Sequence, residues 1–120
     1  GPDGMTGHTD HQAVSRWATG AFARAAAPGA RLHYATQVQE WVDRWYDIFQ
    51  KFDVFFAGGP PVVAREELSI DYPLAPDLLE LKLKAIEEHV SQVEGMLEAF
   101  GEDVFRESMN AEFYRLAAFK

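Results

Sequence analysis

Gly7-His8-Thr9-Asp10-His11 puts two imidazoles and a carboxylate into four consecutive residues, the one cluster in the chain whose side chains suggest chemistry. Neutral imidazole binds metal, and a ligating ring commonly has its second nitrogen fixed by a carboxylate or carbonyl; Asp10 is near enough in sequence to serve. The pattern reads as the mouth of a helix, where imidazolium is disfavoured and both rings stay in the metal-binding form. The plain alternative is a pair of surface histidines, because HxxH also arises by chance. Catalytic zinc takes roughly three protein ligands and an open position for water. His33 and His89 are the only further histidines, and there is no cysteine. One helical turn cannot surround a metal, so a working centre needs ligands from elsewhere.

Capping and periodicity predict the elements that hold this cluster. Thr9 with Gln12 forms a capping box, which places His8 at N′, His11 at N2 and Asp10 in the first turn. Ala13, Val14, Trp17, Ala21, Phe22 and Ala25 recur at helical spacing, and Pro28-Gly29 ends that helix. Leu32, Tyr34, Thr36 and Val38 alternate as a strand, with His33 most simply structural. Trp41, Trp45 and Phe49 step by four as a second helix; core is the simpler reading, a sugar- or partner-binding aromatic patch the other. Gly58-Gly59-Pro60-Pro61 breaks the chain and could form a lid over a substrate. Leu68, Ile70 and Tyr72 predict a short strand. Pro76 and Asp77 open the longest helix, with Leu79, Leu83, Ile86, Val90, Val93, Leu97 and Phe100 as one continuous apolar face ending at Gly101. Lys82, Ala85, His89 and Gln92 form a stripe beside that face. A short acidic helix over 102–109 and a strand over Glu112–Ala118 complete the chain. This order predicts an α/β fold, and the thin sheet reads as part of a layered domain rather than the whole of one.

GPDGMTGHTDH, followed by a helix with Val14 and Trp17, resembles the second half of the PIG-L/LmbE-type zinc deacetylases, which commonly show GPDGxxGHPDHxxxxxW there. Lys82, Ala85, His89, Ser91 and Gln92 reproduce that family's KxxAxxxHxSQ helix. Glu112 with Phe113 is similar to its closing E-x(0–1)-F segment. The resemblance implies a Rossmann-like, zinc-dependent hydrolase that removes acetyl groups from N-acetylated amino sugars and their conjugates. It implies a metal ligand at His11, and at His8 a group that stabilises or protonates the tetrahedral intermediate, with Asp10 supporting the pair. His89, Gln92 and Glu112 become candidates for substrate contact or for orienting the site. Thr9 departs from the family's usual proline, though both residues suit a helix start. The larger departure is the family's HPDDE-like motif, source of two zinc ligands and the general base, which does not occur in these residues. The expectation is a C-terminal part of a deacetylase domain spanning 1–120, inactive by itself, whose N-terminal strands lie outside this sequence. A segment upstream of Gly1 or a complementary chain would supply them.

Composition limits the alternatives. The 120 residues carry a net charge of −8 and a hydrophobic fraction of 48%, an ordinary globular balance. The charge is −1 over residues 1–60 and −7 over 61–120. No basic stripe exists to displace counterions from nucleic acid, and the acidity argues against anionic lipid. No apolar run reaches the roughly 18–20 residues of a membrane span. The opening residues lack the features of a signal peptide, and the absence of cysteine fits the cytoplasm. Two readings stand beside the deacetylase: a non-catalytic acidic module that binds a partner, and one subunit of a split deacetylase. The second predicts an exposed apolar surface where absent strands would pack. Assembly into a homo-oligomer is left open.

Overall fold

A histidine ring caps the first helix. In the computed structural model, which describes residues 1–56 and 58–118, α1 spans Thr9–Ala25 and the Asp10 N–H donates to His8 Nδ1 at 3.2 Å. His8 is therefore the N-cap, and His11 moves from the expected N2 to N3. The expected Thr9–Gln12 box does not form. Gln12 Nε2 instead donates back to Gly7 O (3.3 Å) and Asp3 O (3.5 Å), because Thr9 already lies inside the helix.

The chain continues through β1 (His33–Ala35), α2 (Gln39–Gln50), a 3₁₀ turn at Arg65–Glu67, β2 (Ile70–Pro73), α3 (Pro76–Glu87), α4 (Val90–Phe100), α5 (Glu102–Ser108) and β3 (Ala111–Leu116). Among the described residues this is a mixed α/β fold of five α-helices and a three-stranded sheet in the order β1-β3-β2. β1 and β3 are antiparallel, with Tyr34 opposite Arg115. The chain divides into two compact units, one of Gly1–Asp71 with the segment from Phe113 onward, the other of Tyr72–Glu112.

The core of the first unit is built on α2. Trp45 and Phe49 are buried with Val38, Phe55 and Ala117, and Trp41 packs its ring 5.5 Å from Phe49. The aromatic spacing of four thus serves packing. The Pro61 carbonyl accepts from Thr36 Oγ1 (2.9 Å) and Gln37 N–H (2.8 Å), which fastens the end of the Gly58–Pro61 loop beside the core. By contrast α1 buries none of its side chains: Val14 is 58% and Trp17 71% exposed.

The second unit departs from the sequence reading at one place. The expected continuous helix over 76–100 is two helices, broken at Glu88-His89, where His89 adopts φ −87° and ψ 51°. No proline or glycine marks the break. A straight helix of 25 residues would run about 37 Å, too long to fold back on itself. Broken, α3, α4 and α5 close around Leu79, Leu83 and Phe105, with Ile86, Leu97 and Phe100 packed against them. Burial of a shared core outweighs the hydrogen bonds lost at the bend.

Candidate functional site

The loop ahead of α1 is wound tightly enough to aim one carbonyl at a histidine. Asp3 Oδ1 accepts the Met5 N–H at 2.7 Å, Gly4 N–H bonds Gly1 O at 2.9 Å, and Thr6 N–H bonds Gly4 O at 2.7 Å across Met5, which has φ +65°. Gly4 is buried at φ +74° against the first turn of α1. His11 Nδ1 then lies 3.2 Å from Gly4 O and 2.9 Å from Thr6 Oγ1. A carbonyl only accepts, so the contact with Gly4 is a hydrogen bond in the tautomer with the proton on Nδ1 and the lone pair on Nε2, and the Thr6 hydroxyl can accept from the same atom. This is the arrangement of a metal-ligating imidazole, with its second nitrogen held by a carbonyl.

His8 is set the other way. Its Nδ1 accepts the Asp10 N–H, so in the neutral ring the proton sits on Nε2 and points outward as a donor. The two ring centroids are 5.4 Å apart. The Asp10 carboxylate stands 3.9 Å from His8 Nδ1, too far for a hydrogen bond. Of the pair that Asp10 was expected to support, it meets His8. Gly4 and Thr6 brace His11, while Asp10 attends His8.

Two further features complete the site. Phe56 N–H donates to Thr6 O at 2.7 Å, and the Phe56 ring meets His8 edge to face, centroids 5.1 Å apart. His11 also borders an open cavity of about 320 Å³ whose other lining includes Met5, Val14, Ala18, Leu32 and Tyr34. His33 also borders it, its Nδ1 2.8 Å from Ser69 Oγ, a structural contact as expected.

The remaining candidates belong to the second unit. His89 is exposed at the α3–α4 break, and its carbonyl accepts the Gln92 N–H at 2.8 Å. Lys82 and Ala85 lie on α3 and Gln92 on α4, so the expected single stripe does not exist. Glu112 Oε1 holds Lys82 Nζ at 2.7 Å, and the same ammonium donates to Met109 O at 2.9 Å. An ion pair therefore joins Lys82 of α3 to Glu112 of β3. Among the described residues no three His, Cys, Asp or Glu side chains form a group able to hold a metal, and no helix is long and apolar enough to cross a membrane. The donor chemistry of His11 nonetheless fits one ligand position.

Gly4, Thr6 and Phe56 went unnamed as functional residues in the sequence. Gly4 and Thr6 lie inside the GPDGMTGHTDH segment that the sequence reading singled out. Nothing in the sequence joins Phe56 to a motif more than forty residues away. Comparison of the chain with protein-family models, curated proteins and solved structures gave no match.

Proposed function

We propose that this chain is the C-terminal part of a PIG-L/LmbE-like zinc-dependent deacetylase acting on an N-acetylated amino sugar or its conjugate. Its Rossmann-like layering would be completed by strands from outside these residues. The observation that carries the reading is the opposite setting of two neighbouring imidazoles: His11 Nδ1 faces the Gly4 carbonyl, which suits a lone pair on Nε2, while His8 Nδ1 accepts an amide N–H, which suits an N–H on Nε2. The exposed Val14 and Trp17 on α1 support completion by further polypeptide, continuous or separate.

A zinc ion held in such a centre would supply a water of lowered pKa and a Lewis acid for the acetamide carbonyl. His11 would hold the metal through Nε2, with Gly4 O keeping the ring in the required tautomer. The Nε2–H of His8 would donate a hydrogen bond to the oxyanion of the tetrahedral intermediate. To protonate the departing amine the ring must first take up the water's proton from the general base and become imidazolium, so that giving up the Nε2 proton returns it to neutral imidazole. Asp10 serves both states of that ring. Its N–H bonds the bare Nδ1, and its carboxylate faces the same atom when a proton arrives. The general base and the other ligands come from the completing segment.

Two measurements test the proposal. In the isolated chain, imidazole ¹⁵N shifts should report Nε2–H for His8 and Nδ1–H for His11; the same tautomer on both rings removes the argument. In the completed protein, His11→Ala should lose zinc and acetate release together. His8→Ala should keep zinc while turnover falls about 10²–10³-fold. Full zinc occupancy and rate in His11→Ala would refute the assignment of His11, whereas a completed protein that holds no zinc and releases no acetate would leave the partner-binding module in its place.

A further inference from the structure

Phe55 and Phe56 are neighbours with opposite fates. Phe55 is 6% exposed, its ring set against Trp41 and Tyr46, while Phe56 is 64% exposed. The exposed ring does not hang from a loose loop. On one side the Gln50 amide clamps Phe55 by accepting its N–H and donating to its carbonyl, both at 3.3 Å. On the other, the Phe56 N–H is tied to Thr6 O, the residue whose hydroxyl meets His11 and accepts the His8 N–H at 3.4 Å. One short loop therefore registers the phenyl ring against both histidines. An apolar ring presented to water and fixed against a polar centre leaves surface that a bound molecule could cover.

We infer that Phe56 is the substrate-selecting residue of this site, an apolar platform that takes the carbon-bound hydrogens of a pyranose ring beside His8. The negative face of a phenyl ring attracts polarised C–H groups, and phenylalanine brings no hydroxyl to compete for the sugar's own. Contact with His8 places this platform next to the group assigned to the oxyanion and leaving amine. The amine of the substrate class proposed above is borne on a sugar, so the inference rests on that reading for the identity of the ring.

The test is an aromatic ¹H–¹³C titration of the intact chain with methyl N-acetyl-β-glucosaminide, and in parallel with the acyclic N-acetylethanolamine. The glycoside should shift the Phe56 and His8 ring resonances. Phe56→Ala should weaken glycoside binding about tenfold while leaving the acyclic amide unchanged, and Phe56→Trp should retain glycoside binding. An unchanged amide spectrum establishes that the variants are folded. Equal losses for both probes, undiminished glycoside binding in Phe56→Ala, or no Phe56 shift at saturating glycoside would each overturn the inference. Acetate release by the completed protein is measured separately. Phe56-dependent glycoside binding without turnover would keep the platform and discard the deacetylase.

Discussion

Residue 4 sits where the loop ahead of α1 doubles back onto the helix it feeds. A Cβ there would lie 2.8 Å from the Gln12 backbone nitrogen and 3.0 Å from His11 Cβ, at a φ of +74°. Both the left-handed backbone and the close approach demand glycine. The same residue supplies the carbonyl that sets the His11 tautomer, so the local fold and the proposed chemistry share one atom. Gly4→Ala should cost about 1–3 kcal/mol, visible as a lower urea midpoint. It should also shift the His11 ¹⁵N signals as the Gly4 carbonyl is displaced. An unchanged midpoint with unchanged His11 signals would mean the loop does not dock as described. The neighbouring Met5 carries its positive φ without glycine's freedom, and the Asp3 side chain holds it there.

At the scale of elements, helix ends and helix-to-helix ion pairs decide local geometry. Arg106 on α5 bonds Glu80 on α3 and also Glu102 one turn back on its own helix. The hydrogen bond from Arg106 holds the Glu80 carboxyl below its ordinary range; desolvation opposes it, and the charges of Arg106 and Lys84 add to the lowering. A carboxylate whose folded pKa is depressed contributes its stability above the unfolded value and loses it as pH falls through the folded one. The Glu80–Arg106 link should therefore persist at neutral pH and fade only below the usual carboxylate range. A carboxyl ¹³C titration of Glu80 should show a depressed midpoint that rises toward the ordinary value in Arg106→Gln. Identical midpoints in the two proteins would rule the link out in solution. The ions are solvent-exposed, so they serve to register α5 on α3 more than to add stability.

On the scale of the whole molecule, each unit has its own core, and the chemistry-bearing residues divide between them. His8, Asp10 and His11 belong to the first unit, His89, Gln92 and Glu112 to the second. The second unit depends on Phe105, which is 1% exposed and stacked on Phe100 at a centroid distance of 6.2 Å. Truncation there opens a cavity among Leu79 and Leu83 as well as losing the buried ring. Phe105→Ala should cost about 3–5 kcal/mol and sharply reduce amide protection in α3–α5. Protection at the level of the parent protein would show that the three helices do not rest on this residue. The acidity of residues 61–120 lies largely on exposed positions such as Glu87, Glu94 and Glu98, as expected of a solvated helix face.

Short-range patterns were legible in the sequence because their causes are local. Thr9–Ala25 was readable as a helix from its spacing, Gly101 as a helix end, and Trp45 and Phe49 as core from a period that can satisfy only one face. The cluster His8-Asp10-His11 was visible for the same reason, as was its position at a helix mouth. Tertiary structure decided which nitrogen of each ring carries its proton, since that depends on the Gly4 carbonyl and the Asp10 amide meeting particular atoms. It decided the break at His89 too. The apolar steps of four and three continue through that residue unchanged, so periodicity cannot distinguish one long helix from two short ones. Only the chance to enclose Leu79, Leu83 and Phe105 together favours the bend. Phe56 beside His8 is the clearest case: forty-eight positions separate the two residues, and only a backbone hydrogen bond to Thr6 brings their rings together.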